Sequence, residues 1–194
     1  WTGADGKECA VEGGDFGWSI DSKTLAKQVE DAINNKQTGD IEISYSKKAD
    51  TFTAKGEPDW KAYIDVDLSE QYARYYDENG SIVWEAHFIS GRPDGHATPE
   101  GVWQINSNSG GTTLIGKKDP ETGKPEYESK VDYWMPFEGN MVGFHDASWQ
   151  NDASFDNPNS YNWCGSHGCI NLRPSDAKAL HDCIKVGLCV VVHS

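Results

Sequence analysis

From residue 60 onward the hydrophobic period of this chain is two. In the run WKAYIDVDL, Trp60, Ala62, Ile64, Val66 and Leu68 fall on one face and Tyr63, Asp65 and Asp67 on the other, the pattern of a half-buried β-strand. Further strands are expected over residues 71–76, 81–89, 102–105, 131–134, 141–145 and 188–193. The first two of these are joined by Asp77-Glu78-Asn79-Gly80, whose Asn-Gly step supplies the positive-φ residues of a tight hairpin. One late helix is expected from Asp176 to about Val186, capped by Ser175, with Ala177, Leu180 and Ile184 inward and Gly187 as its stop. Many short strands and a single late helix argue against alternating βαβ units and predict a mainly β domain, a sandwich or barrel.

The segment before residue 60 reads differently. Asp21 or Ser22 caps an amphipathic helix that carries Leu25, Val29, Ala32 and Ile33 on one face and ends at Asn34-Asn35. A strand over residues 41–45 follows, and residues 47–59, polar with Gly56 and Pro58, read as a linker. The expected division is therefore a small α+β fragment, residues 1–57, and a β domain, residues 58–194.

With 31 acidic against 17 basic residues the formal charge is −14, which disfavours nucleic acid and anionic membranes as partners. No apolar run approaches the roughly 20 residues of a membrane span. The chain opens at Trp1 rather than methionine, which reads as a trimmed or mature form without its targeting segment. The five cysteines stand at 9, 164, 169, 183 and 189. An odd count suggests bridged pairs plus one leftover thiol, and if Cys169 is the leftover, one or two disulfides are expected among Cys9, Cys164, Cys183 and Cys189.

The chemistry concentrates in GSHGCINLRP, residues 165–174. A cysteine attacks as thiolate, and an ordinary thiol with a pKa of about 8.5 needs a base or cationic neighbour to become one. His167 is two residues from Cys169, but His145, which ends the strand MVGFH 24 residues upstream, is the better-placed base. Gly165 and Gly168 let backbone N–H groups approach a substrate carbonyl, as an oxyanion hole requires. The histidine precedes the cysteine, the reverse of papain-like order. Two other readings of Cys169 stand beside the nucleophile: a buried or bridged cysteine, and a zinc site built with His145, Cys164 and His167, whose His-x-Cys spacing is tighter than usual.

GFHDASW at 143–149 followed by SHGCINLRP at 166–174 resembles the signature of the L,D-transpeptidase catalytic domain, or YkuD, family. The resemblance extends over residues 60–194, through IDVDLSEQ, the glycine and Thr-Pro-x-Gly loop in SGRPDGHATPEGVWQI, and YWMPF. Residues 1 to about 56 more weakly resemble the end of the peptidoglycan-binding domain that precedes some Gram-positive members. The resemblance implies a mostly β fold and ping-pong acyl transfer on peptidoglycan stem peptides, needing no cofactor or metal. Cys169 would attack the carbonyl of the third stem residue, expel the terminal D-Ala and leave a thioester. A neighbouring stem's amine would then form the cross-link; water instead would give L,D-carboxypeptidase activity. His145 would be the general base, its ring oriented by the backbone carbonyl of Asp146, and the amides of His167, Gly168 and Cys169 would be the oxyanion donors.

The resemblance further implies carbapenem-type β-lactams as covalent inhibitors and an extracellular, wall-facing protein, secreted or membrane-anchored. Trp134, with Trp149, is a candidate lining of the acyl-donor groove; Ser166, Asn171 and Arg173 are candidate substrate contacts, the last through its planar fork. The blander alternatives are a turn-holding role for Ser166 and Asn171, an ion pair for Arg173, and a backbone hydrogen bond for the His167 ring. His87, His96, His181 and His193 read as having no chemistry. A peptidoglycan-binding module without turnover is the rival from another class. Oligomeric state is left open.

Overall fold

A computed structural model describes residues 2–52 and 58–194, which fall into two compact units: Phe16–Lys61, and the segment up to Asp15 together with Ala62–Ser194. In the smaller unit, β1 (Ser19–Ile20) pairs antiparallel with β2 (Tyr45–Lys47), and α1 (Ser22–Asn34) lies between them in sequence. Asp21 caps the helix, accepting from the Thr24 N–H at 3.1 Å and the Thr24 hydroxyl at 2.6 Å. The strand expected over 41–45 begins only at Tyr45, where the chain meets its two-residue partner and Tyr45 stacks edge-on against Trp18. The linker expected over 47–59 includes residues 53–57, which lie outside the described residues.

The boundary expected at residue 57 gives way to two crossings, at 15/16 and 61/62. Residues 2–15 belong with the larger unit because their polar groups are satisfied there. The Ala4 N–H donates to the Tyr63 hydroxyl at 2.9 Å, Val102 N–H donates to Gly13 O at 3.1 Å, and Lys7 pairs with Glu70 and Asp67. These contacts are too dispersed to leave a periodic trace in the sequence.

The larger unit is two sheets around one core. The first has the order β5-β4-β3-β11-β6, from β3 (Tyr63–Asp67), β4 (Tyr72–Tyr76), β5 (Ile82–His87), β6 (Gly101–Gln104) and β11 (Cys189–His193). The second has the order β10-β9-β8-β7, from β7 (Ser109–Ile115), β8 (Glu128–Glu138), β9 (Val142–Asp146) and β10 (Ile170–Leu172). Ile64, Val66 and Trp84 of one sheet and Met135, Phe144 and Leu172 of the other share the core with Ala177 and Leu180 of α4 (Pro174–Cys183). This is the mainly β fold expected, with two additional one-turn helices, α2 (Asp152–Phe155) and α3 (Tyr161–Cys164), in the stretch before β10.

Several local expectations are corrected. The strand read as half-buried is buried on both faces, because residues 2–15 and His193 cover the side carrying Tyr63, Asp65 and Asp67. At the β4–β5 turn only Gly80 takes positive φ (+78°); Asp77 closes the turn instead, accepting at one carboxylate oxygen from the Asn79 and Ser81 N–H groups, both at 2.8 Å. Helix α4 starts two residues earlier than expected, with Pro174 in its first turn, and ends at Cys183. Ile184 then turns extended into the core, and Gly187 (φ +87°) forms the bend into β11 rather than the helix stop. Cys164 and Cys183 are free thiols, so neither joins the disulfide framework expected for it; their sulfurs face the Ser160 and Leu180 carbonyls within their own helical turns.

The pair His193 Nε2 and Asp65 Oδ1, 2.9 Å apart and buried, links the end of β11 to the middle of β3. The Asp65 carboxylate raises the His193 pKa above its ordinary value, against the opposing effect of burial. A raised folded-state pKa contributes stability that is complete below the unfolded value of about 6.5 and is lost as pH rises through the folded value. Thermal melts from pH 6 upward should therefore show a decline that His193→Phe, which cannot titrate, lacks; equal pH dependence in both proteins would show the pair to be inert.

Candidate active site

The site is built by the parallel pairing of β9 and β10, which sets Ile170 beside Phe144 and Asn171 beside His145. That register brings Cys169, one residue before β10, to Gly143, and its thiol donates to the Met141 carbonyl at 3.7 Å. Cys169 is a free, buried thiol packed against Val131 and Trp134. Burial pushes its pKa up to about 11, with the Gly143 N–H acting in the opposite direction. At neutral pH the resting sulfur is protonated.

His145 is also buried, and its Nδ1 lies 2.9 Å from the Asp146 carbonyl oxygen. A carbonyl only accepts, so Nδ1 carries the hydrogen and Nε2 keeps its lone pair. Burial holds the His145 pKa below the ordinary histidine value, outweighing the hydrogen bond to Asp146. The imidazole is thus a neutral base in a fixed tautomer. Trp134 and Trp149 flank it, with ring centroids 6.1 and 5.8 Å away.

His145 and Cys169 line one cavity of about 210 Å³, together with Trp149, Ser166, His167 and Asn171. Cys169 also opens onto a second, larger cavity of about 810 Å³, walled by β7, Glu126, Tyr127, Trp134 and His96. The thiol therefore sits where two spaces meet.

The remaining residues picked out in the sequence divide. Trp134 lines the larger cavity, its indole N–H donating to Asn140 Oδ1 at 3.0 Å. Asn171 is buried at the smaller cavity, and its Oδ1 has no protein partner among the described residues. Ser166 holds the turn: its hydroxyl donates to Cys169 O at 2.6 Å and accepts from Gly168 N–H at 3.0 Å. That bond corrects one expectation, because the Gly168 amide, read as an oxyanion donor with those of His167 and Cys169, is engaged inside the loop. Arg173 is not brought to either cavity. It pairs with Asp152 at 2.6 Å and Asp156 at 2.7 Å and stacks over Phe155, tying α2 to the start of α4.

Two residues without a sequence signal join the site. Tyr127 and His96 pack against the His167 ring, at centroid distances of 4.8 and 4.6 Å. His167 has its pKa lowered by burial, then by His96 and Arg92. No group of three or more His, Cys, Asp and Glu among the described residues is placed to hold a metal ion.

No curated protein matches the chain. Among solved structures, a cysteine-to-serine mutant of the Enterococcus faecium L,D-transpeptidase is 30% identical, with a TM-score of 0.71, over 100% of this chain and 73% of that one. The catalytic domain of the Enterococcus faecium enzyme acylated by ertapenem is 37% identical over 69% of this chain and 97% of that one, with a TM-score of 0.54. A Mycobacterium smegmatis L,D-transpeptidase, 21% identical over 69% of this chain and 59% of that one, shares the fold with a TM-score of 0.56. Residues 61–192 match the YkuD family description, the L,D-transpeptidase catalytic domain. With that match spanning the histidine, the cysteine and both sheets, the chain belongs to the L,D-transpeptidase catalytic-domain family.

Proposed function

We propose that this protein is an L,D-transpeptidase that cross-links peptidoglycan stem peptides, with Cys169 as nucleophile and His145 as general base. The observation that carries the reading is the pairing, in one cavity, of a buried thiol with an imidazole whose Nδ1 is tied to the Asp146 carbonyl. As Cys169 attacks the carbonyl of the third stem residue, its proton passes to His145 Nε2. The tetrahedral oxyanion draws on the His167 and Cys169 N–H groups. Collapse expels the terminal D-Ala, which takes the proton from His145 and leaves a thioester. An amine from a second stem then attacks the thioester, and Cys169 leaves as thiol.

The meeting of two cavities at the sulfur favours an amine acceptor over water, since donor and acceptor need separate approaches to one carbonyl. The ertapenem-acylated relative supports carbapenems as covalent ligands here, because a strained lactam presents an acyl carbonyl to the same thiol. The substrate implies a wall-facing location outside the membrane. Incubation with a defined tetrapeptide stem should yield a cross-linked dimer and free D-Ala by mass spectrometry. Tripeptide alone would identify an L,D-carboxypeptidase, and no turnover would favour a binding module.

A further inference from the structure

The Thr-Pro-x-Gly loop has no role in the mechanism so far, yet it touches the nucleophile's own peptide. Thr98 is buried, and its hydroxyl makes two bonds: it accepts from Gly91 N–H at 2.9 Å and donates to the Gly168 carbonyl oxygen at 2.9 Å. The contact spans 70 residues of sequence. Around it the two backbones pack directly. A Cβ on Gly91 would meet His96 O at 1.9 Å and Gly168 Cα at 2.8 Å, and Gly168 sits at φ +117°. Arg92 N–H donates to Ser166 O at 3.1 Å and Ser166 N–H to Ser90 O at 2.9 Å, closing the seam on the other side.

The carbonyl that Thr98 holds shares a peptide plane with the N–H of Cys169. In a trans peptide the C=O and N–H point in opposite directions, so a fixed Gly168 oxygen fixes where the Cys169 N–H aims. Gly168 N–H is already taken by Ser166, so the loop's contribution to an oxyanion turns on the Cys169 amide, which belongs to the nucleophile's own residue. We infer that Thr98 is a positioning residue that aims the Cys169 N–H at the developing oxyanion; it touches no substrate and acts only through the Gly168–Cys169 peptide. The inference rests on the reading of Cys169 as the acyl-accepting nucleophile.

A positioning role separates two reactions of the same sulfur. Acylation by ertapenem builds a tetrahedral oxyanion, whereas alkylation by iodoacetamide displaces iodide at a saturated carbon and needs the thiolate alone. In Thr98→Val the shape is kept and the hydroxyl lost. Acylation at saturating ertapenem should slow by about 10- to 100-fold, less than the roughly 10²–10³ that deleting an oxyanion donor costs. Alkylation of Cys169, followed by peptide mapping at pH 9, should stay within about twofold. Thr98→Ser should recover acylation to within a few fold of the original. Thr98→Ala takes the place of the valine variant if that loses its cooperative melt. Unchanged acylation, or acylation and alkylation falling together, would overturn the inference. An original chain that gains no adduct on Cys169 would overturn the nucleophile assignment itself, and this inference with it.

Discussion

Cys169→Ala is expected to abolish covalent capture of a carbapenem altogether while leaving a folded protein. The sulfur is one atom in a small cluster with Val131 and Trp134, so its loss should cost no more than about 1–2 kcal/mol, by the scale of small core truncations. Loss of the adduct has no such small scale, because without the sulfur no atom remains at that position to accept the acyl group. Free thiols at Cys164 and Cys183 provide the internal control. Neither lies beside an imidazole held as His145 is, so intact-protein mass should show one adduct on the original chain and none on the variant. An adduct that survives in Cys169→Ala would move the nucleophile elsewhere and undo the proposed function.

What the sequence made legible follows the range of the interactions involved. Alternation is local, so the strand containing Tyr63–Asp67 could be read directly, and the Asp21 cap with its following apolar face marked α1. His145 and Cys169 were legible through the motifs around them, and the parallel register of β9 on β10 gives the physical reason those motifs sit together. β7 could not be read: its run SGGTTLI is glycine-rich and mostly exposed, and only pairing with β8 makes it a strand. The cavity wall that β7 builds was lost with it.

Other misses share that origin. His96 and Tyr127 reach His167 from separate loops, and the Thr98 bond to Gly168 spans 70 residues. Nothing within a window of ten residues encodes such contacts. Arg173 shows the reverse failure: its place in the motif suggested a carboxylate ligand, and it finds carboxylates, but those of Asp152 and Asp156. For Cys164 and Cys183 the cysteine count misled, because pairing depends on geometry that a count does not contain, and each of the two stays within its own helical turn.

His145→Ala is expected to slow acylation by roughly the 10²–10⁴ that general-base assistance contributes, and the pH profile should change shape as well as height. In the original protein the pair rests neutral, with the Cys169 thiol pushed up to about 11 by burial and the imidazole held below its ordinary value. Proton transfer therefore accompanies attack, and the rate should be flat through neutrality. It should fall only in acid, on a limb below the usual histidine value of about 6.5, where His145 becomes protonated and can no longer accept. Without the imidazole the sulfur reacts only as free thiolate. Its fraction rises about tenfold per pH unit until the thiol pKa is reached, so the variant's rate should climb steeply through the range where the original is level. The two profiles should then converge in strong alkali. A variant that keeps the flat profile would assign the base to another group, with the His167 ring, which lines the same cavity as Cys169, as the next candidate; His167→Ala would then reproduce the slope expected here.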